Sequence, residues 1–395
     1  MLAIDGGSPV REKGYPLWPD VARLDYARVL ETIRSNKLSS LSGTVVSDFE
    51  SRFAATTGGG RCVAVNSGTA AVHTALAALE VGPGDEVIVP AHTFIGSASP
   101  IVMQGATPVF ADIDEATFNI DPGSVERLIS HRTKAIIAVD LNGHPAAFDR
   151  LAPMAEDAGV PLIEDAAQAF GASLDGVPCG SFGVASTWSF WEDKILPTGE
   201  GGAVTFRSAN HEHRARTFIN HGEEPAEESY HNVERMYYHV FLGYNYRMSE
   251  VTGAMGQVAL DHTDAWVRRR VEIGTYLSAA LAEVPACIPV FVAPGAVHTY
   301  YKYILRLDMA QLAVPVAQFV AALRAEGVPA SRRYITPLHH QPVFRNVLGA
   351  DVPSLPVSEM LPESLVRLSV SPELTNGELD DTVEAVGKVV AAYKR

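Results

Sequence analysis

The segment Trp188-Ser-Phe-Trp-Glu-Asp-Lys194-Ile-Leu-Pro-Thr-Gly-Glu-Gly-Gly202 places one lysine just past a strand-like run and ahead of a glycine-rich turn. A lysine there can form a Schiff base with an aldehyde cofactor, provided a depressed pKa leaves its amine nucleophilic near neutrality. Taken alone, it reads more readily as an exposed loop lysine. Upstream, Pro161-Leu-Ile-Glu-Asp165-Ala-Ala-Gln168 ends an apolar run in a carboxylate. Pyridoxal chemistry needs an acid against the pyridine nitrogen, because a protonated ring takes up the electrons of a broken bond. Asp165 suits that role, and a helix N-cap is its ordinary alternative. In Val65-Asn-Ser-Gly-Thr69-Ala-Ala, small and hydroxyl residues stand at a strand-to-helix turn, where backbone N–H groups and the helix dipole favour a phosphate. Neither a P-loop lysine motif nor GxGxxG is present, so nucleotide binding is not indicated there. After Val87-Ile-Val-Pro-Ala-His-Thr, Phe94 offers a face to a flat ring, or simply a core side chain.

These residues need a scaffold that gathers them. From about residue 60 to 206, short apolar runs (62–65, 86–89, 107–110, 135–139, 161–163, 186–190 and 202–206) alternate with amphipathic stretches at 70–79, 122–129 and 148–158. Such alternation predicts a largely parallel sheet covered on both faces. Ligands collect at the carboxyl ends of its strands, where the residues above fall. Beyond about residue 250, a long helical stretch through Gln257, Asp264 and Val271 leads to strand-like runs at 301–307 and 365–370 and helices at 316–326 and 379–394. This reads as a smaller α+β domain.

Bulk properties narrow the function. The 395 residues carry a formal charge of −15, with 47% hydrophobic and 19% charged residues. That balance argues against nucleic acid or an anionic membrane as partner, since both attract clustered Lys and Arg. The one basic run, Arg268-Arg269-Arg270, reads as a solvated helix face. Cys62, Cys179 and Cys287 are far apart and form no CxxC pair, so neither a disulfide framework nor a thiolate metal site is expected. With no apolar signal core near the amino terminus, a cytoplasmic protein is expected. The stretch 87–111 is broken by Pro90, Pro100 and Pro108 and reads as strand end, loop, short helix and strand rather than a membrane helix.

In this order the motifs resemble the sugar and cyclitol aminotransferases of the DegT/DnrJ/EryC1/StrS family. The resemblance runs almost end to end, through Leu2-Ala-Ile-Asp-Gly-Gly, Asn66-Ser-Gly-Thr, Gly82-Pro-Gly-Asp-Glu-Val-Ile-Val-Pro, Arg132-Thr-Lys-Ala-Ile-Ile, Glu164-Asp-Ala-Ala-Gln, Gly199-Glu-Gly-Gly and Gly243-Tyr-Asn-Tyr-Arg-Met-Ser-Glu. It implies the α/β PLP fold-type I architecture: a large cofactor-binding α/β domain over 1–255, with residues 1–30 as an N-terminal arm, and a small α+β domain over 256–395. It implies Lys194 as the Schiff-base and proton-shuttling lysine, Asp165 on the pyridinium nitrogen, Gln168 near the ring hydroxyl and Phe94 stacked on the ring. Gly68, Thr69 and Ser189 would hold the phosphate, and Asn245 would reach the phosphate of the neighbouring subunit, so that a homodimer shares its sites.

The resemblance also implies pyridoxal 5'-phosphate, cycling through pyridoxamine 5'-phosphate, as cofactor, with a small-molecule amino donor (glutamate or glutamine) and a keto-sugar nucleotide or keto-cyclitol as substrates. Arg332-Arg-Tyr334-Ile-Thr-Pro-Leu-His339-His340 resembles the segment that returns to the active-site mouth, so Tyr334 and His339 are expected to touch substrate. No metal is expected, because adjacent histidines rarely face one ion. The chain departs from common family patterns at Asp140-Leu-Asn-Gly-His, at Val184 and at Trp191-Glu-Asp, which bear on substrate identity. An aminohydroxybenzoate-type synthase would keep the lysine. A sugar dehydratase would replace it with histidine, and a non-catalytic regulator would lack Lys194 or Asp165.

Overall fold

The computed structural model describes residues 1–20, 23–58, 60–224, 237–349 and 352–395. Seven strands form the main sheet: β1 (Arg61–Val65), β2 (Glu86–Pro90), β3 (Thr107–Ala111), β4 (Thr133–Val139), β5 (Leu162–Asp165), β6 (Ala185–Ser189) and β7 (Gly202–Phe206). Their spatial order is β1-β7-β6-β5-β4-β2-β3. All run parallel except β7, which pairs antiparallel with β1 and β6. The parallel strands read as unbroken apolar runs because helices cover both faces; Val63, Val65, Val87, Val89, Ile136 and Ile137 are buried.

Helix α1 (Gly68–Ala78) follows β1 and starts where Ser67 Oγ accepts the Ala70 amide at 3.1 Å. It is alanine-rich and nearly fully buried, as its lack of a polar face requires. The long helical stretch is two helices, α2 (Glu250–Leu260) and α3 (Thr263–Ala282), separated at Asp261 and His262.

A second, antiparallel sheet joins β8 (Cys287–Ile288), β9 (Tyr303–Leu307) and β10 (Leu365–Leu368) in sequence order. With α3, α4 (Val316–Ala325) and α5 (Asn376–Tyr393) it encloses its own core, including Leu277, Tyr303, Phe319, Leu368 and Val389. Leu2 belongs to this core, and the amides of Ala3 and Val10 donate to the buried Glu326 carboxylate at 2.8 and 3.1 Å. The first residues therefore pack on the C-terminal layer. A short three-stranded sheet of Ser173–Leu174, Val177–Pro178 and Ala296–Val297 ties the two layers together.

The basic run at 268–270 corrects the expectation of a solvated face. Arg268 is exposed, but Arg270 is buried at 1% exposure, donating to the carbonyls of Tyr300, Tyr301 and Val370 under the Trp18 ring. Two residues are about 200° of helix, so Arg270 lies on the face opposite Arg268. Among the described residues, no helix is long and apolar enough to cross a membrane.

Candidate active site

Strands β1, β2, β5 and β6 all end at the same edge of the sheet, because each is parallel to the others. The loops that follow them enclose a cavity of about 720 Å³. Gly68, Thr69, Phe94, Asp165, Gln168, Ser189, Lys194 and Tyr334 all line it. Residues spread over more than 250 positions thus share one wall, as strand-end geometry requires.

Lys194 lies on the β6–β7 connection, half-buried, with Nζ 4.4 Å from the centre of the Tyr301 ring. Burial, and then the neighbouring Arg333 cation, lower its pKa to about 7, against the pull of Asp193 and Asp165. Asp165, at the end of β5, is buried at 4% exposure. Its Oδ2 accepts from Ser97 Oγ at 2.7 Å and its Oδ1 from the Ala167 amide at 3.2 Å. Burial raises its pKa, opposed by these donors and by Lys194. No helix begins after it, so the capping alternative falls away.

Opposite these groups, Ser67, Gly68 and Thr69 form the amino end of α1, and Ser189 at the end of β6 faces them. A Cβ on Gly68 would stand 2.7 Å from the Ser189 Cβ, and one on Gly202 would stand 2.5 Å from the Ser67 carbonyl oxygen. Glycine at both positions keeps the cradle open and close. Phe94 is 56% exposed at the cavity mouth, so it is not the core side chain that its type alone would suggest.

Several groups in the lining and behind it were not singled out from the sequence. Tyr301 Oη donates to Asp193 Oδ1 at 2.6 Å, and Lys302 Nζ pairs with Asp193 Oδ2 at 2.6 Å. Burial alone would raise the Asp193 carboxyl, yet the Lys302 ammonium holds it below its ordinary value. Trp18 Nε1 donates to the Lys194 carbonyl at 3.2 Å, and Arg270 holds the Tyr300 and Tyr301 carbonyls, so both brace the lysine loop from behind. Gln168 Oε1 accepts the Asn142 amide at 2.9 Å and an Arg333 Nη2 bond at 3.3 Å. Asp193 was adjacent to the lysine in the motif and Ser97 lay in a hydroxyl-rich stretch. Tyr301 headed the strand-like run at 301–307 and Arg333 lay in the segment leading to Tyr334, but neither carried a signal of its own.

His339, and Asn245, which was expected in the neighbouring subunit's site, lie outside this chain's cavity. His339 corrects its assignment to the substrate: it sits in the turn Leu338–His340 with no exposure, its Nε2 3.2 Å from Glu359 Oε1 and its ring beside Phe110. The turn that carries the chain back to the mouth points Tyr334 at the cavity and buries His339 behind it. His340 Nε2 also reaches Glu359 Oε1, at 3.7 Å, so the adjacent rings do converge on one carboxylate. Asn245 is not a lining residue. It bridges Asn220, and Asn66 Nδ2 donates to its carbonyl at 3.3 Å, at the outer edge beside β1.

The sequence profile of the DegT/DnrJ/EryC1/StrS aminotransferase family matches residues 19–387. The chain is 34% identical to the L-glutamine:2-deoxy-scyllo-inosose aminotransferase of Micromonospora echinospora, covering 100% of this chain and 99% of that protein. It is also 34% identical to the GDP-perosamine synthase of Caulobacter vibrioides, over 92% of this chain and 94% of that one. The crystal structure of an aminotransferase from Psychrobacter cryohalolentis superimposes with a TM-score of 0.90 at 31% identity, covering 96% of this chain and 99% of the other.

Proposed function

The chain belongs to the DegT/DnrJ/EryC1/StrS aminotransferase family, and from that premise we propose that it moves an amino group from L-glutamate or L-glutamine to a keto-sugar nucleotide or keto-cyclitol, using pyridoxal phosphate held at Lys194. The observation that carries this reading is the juxtaposition, in one cavity, of a lysine with pKa lowered to about 7, the buried carboxylate of Asp165 and the Gly68–Ser189 cradle. The acceptor class follows relatives whose names specify a GDP-sugar product and a cyclitol ketone.

The residues fit the cofactor. A cradle that a single Cβ would fill suits a phosphate seated on the amino end of α1, Phe94 offers an aromatic face, and Asp165 is a buried acid that would serve the ring nitrogen. When bound, pyridoxal phosphate supplies an aldehyde that takes up an amine and a ring that accepts electrons from the carbon losing its proton. Lys194 Nζ, about half of it neutral at pH 7, would remove the proton from the reacting carbon of the donor and return one to the acceptor carbon. Asp165 would hold the protonated ring nitrogen, with Ser97 fixing its carboxylate. Tyr301 covers the lysine and limits water around Nζ. A second copy of the chain completes the site through Asn245. The neighbouring stretch supports this, since it leaves Leu242 at 94% exposure and Tyr244 at 44% on the surface.

The testing experiment is a half-reaction screen. Purified protein is expected to be yellow, and glutamate or glutamine should bleach it to the pyridoxamine form. Mixing that form with keto-sugar nucleotides and keto-cyclitols should restore the aldehyde spectrum with one class only, and steady-state kinetics should give the parallel double-reciprocal lines of a ping-pong cycle. A colourless protein indifferent to pyridoxal phosphate would sink the reading. The pH dependence is a separate check. With the lysine near 7, its neutral fraction rises about tenfold from pH 6 to pH 8 and then levels off. Capture of pyridoxal phosphate by cofactor-free protein, followed by stopped-flow absorbance, should accelerate by that factor and plateau. A rate still climbing tenfold per unit above pH 9 would mean an ordinary lysine.

A further inference from the structure

The cations in and just behind the cavity wall are not equally neutralised. Arg332 pairs with Glu363 at 2.6 Å, while Lys302, next to Tyr301, pairs with Asp193 at 2.6 Å. Arg333 donates from Nη2 only to uncharged acceptors, Tyr334 Oη at 2.7 Å and Gln168 Oε1 at 3.3 Å, and its Nε is buried with no hydrogen-bond partner. Arg367, on β10, lines the same wall. Among the described residues, neither guanidinium forms an ion pair with a carboxylate. Two half-buried guanidiniums on one wall repel each other and are poorly hydrated, an arrangement that is favourable when an anion sits between them.

Arg333 also stands close to the reacting centre. Its guanidinium carbon is 5.4 Å from the centre of the Tyr301 ring, and Lys194 Nζ is 4.4 Å from the same centre. An α-amino acid carries its carboxylate on the very carbon that reacts. The diphosphate of a nucleotide sugar is separated from its carbonyl by several bonds and would call for cations farther out.

We propose that Arg333, with Arg367 beside it, is the carboxylate-binding site for the amino donor, its guanidinium taking the carboxylate borne on the reacting carbon. This rests on Lys194 being the reacting lysine. The Tyr334 and Gln168 contacts hold the guanidinium in place when an uncharged keto acceptor occupies the same space, which lets one cavity serve both halves of the reaction.

The test compares holoenzyme with Arg333→Gln and Arg333→Lys variants, with cofactor absorbance and near-UV circular dichroism confirming an intact site. Removing a charge-assisted pair should weaken 2-oxoglutarate binding in titration calorimetry about thirtyfold and the second-order rate of the glutamate half-reaction about a hundredfold in Arg333→Gln. Arg333→Lys, which keeps the charge but not the fork, should fall between and carries the test if the glutamine variant does not fold. UDP, as a diphosphate probe, should bind both variants within threefold of wild type. Unchanged 2-oxoglutarate binding and glutamate rate would overturn the proposal, as would a loss confined to UDP. The 2-oxoglutarate titration is repeated on cofactor-free protein, so a wild type that fails to take up pyridoxal phosphate refutes the Lys194 reading while still reporting on Arg333.

Discussion

The Lys194→Ala protein is expected to fold and to lose transamination by about 10⁴-fold or more, because the substitution removes both the group that holds the cofactor covalently and the base that moves the proton. Folding should survive because the ammonium makes a ring contact with Tyr301 and occupies an open cavity, so alanine leaves no sealed void. The nearby Lys302 cannot take over, since its ammonium is engaged by Asp193 at 2.6 Å. Borohydride treatment followed by mass spectrometry should fix the cofactor to a peptide containing Lys194 in the wild type and to none in the variant. A variant that keeps a borohydride-fixed cofactor and wild-type turnover would place the chemistry on another lysine.

Asp165→Asn is expected to lower the turnover number by about 10²- to 10³-fold, the scale of losing one preorganised charge partner in a dry site. The amide matches the carboxylate in shape; its Oδ1 can still accept the Ala167 amide and its Nδ2 can donate to the Ser97 hydroxyl, which is free to turn, so the fold should be retained. It cannot balance a protonated ring nitrogen, so electron uptake weakens while substrate binding does not. The measurable signature is a fall in turnover with little change in KM for the donor, together with faster loss of cofactor on gel filtration. Turnover within threefold of wild type would show that Asp165 does not face the ring.

Most of the scaffold was legible in the sequence because its signals are local. The runs at 62–65, 86–89, 107–110 and 135–139 are buried on both faces and so carry the apolar, β-branched composition that marks a parallel strand. Serine before Gly68 and the Thr375–Glu378 capping box announce helix starts by side-chain chemistry confined to four residues. The stretch 87–111 also resolves as strand, short helix Ser99–Met103 and strand, as its prolines indicate. The run at 301–307 was less faithful. Its strand starts at Tyr303, because residues 299 and 302 hydrogen-bond instead to Gly143 and Asn142 in the loop after β4.

The same division holds for the site. Lys194, Asp165, Gly68 and Ser189 were readable because a strand end, a glycine and a hydroxyl must be particular residue types at particular offsets from a strand. The sequence alone determined the alternating fold and singled out the candidate lysine and the candidate carboxylate. Only the tertiary structure decided that Tyr334 faces the cavity while His339 turns away to Glu359, that Arg270 is buried beneath Trp18 to brace Tyr301, and that Arg333 has only neutral acceptors beside the lysine. Periodicity registers which face of an element is apolar. It is silent about which groups from distant segments meet, and here burial by those segments, and then the Arg333 cation, lower the pKa of the lysine.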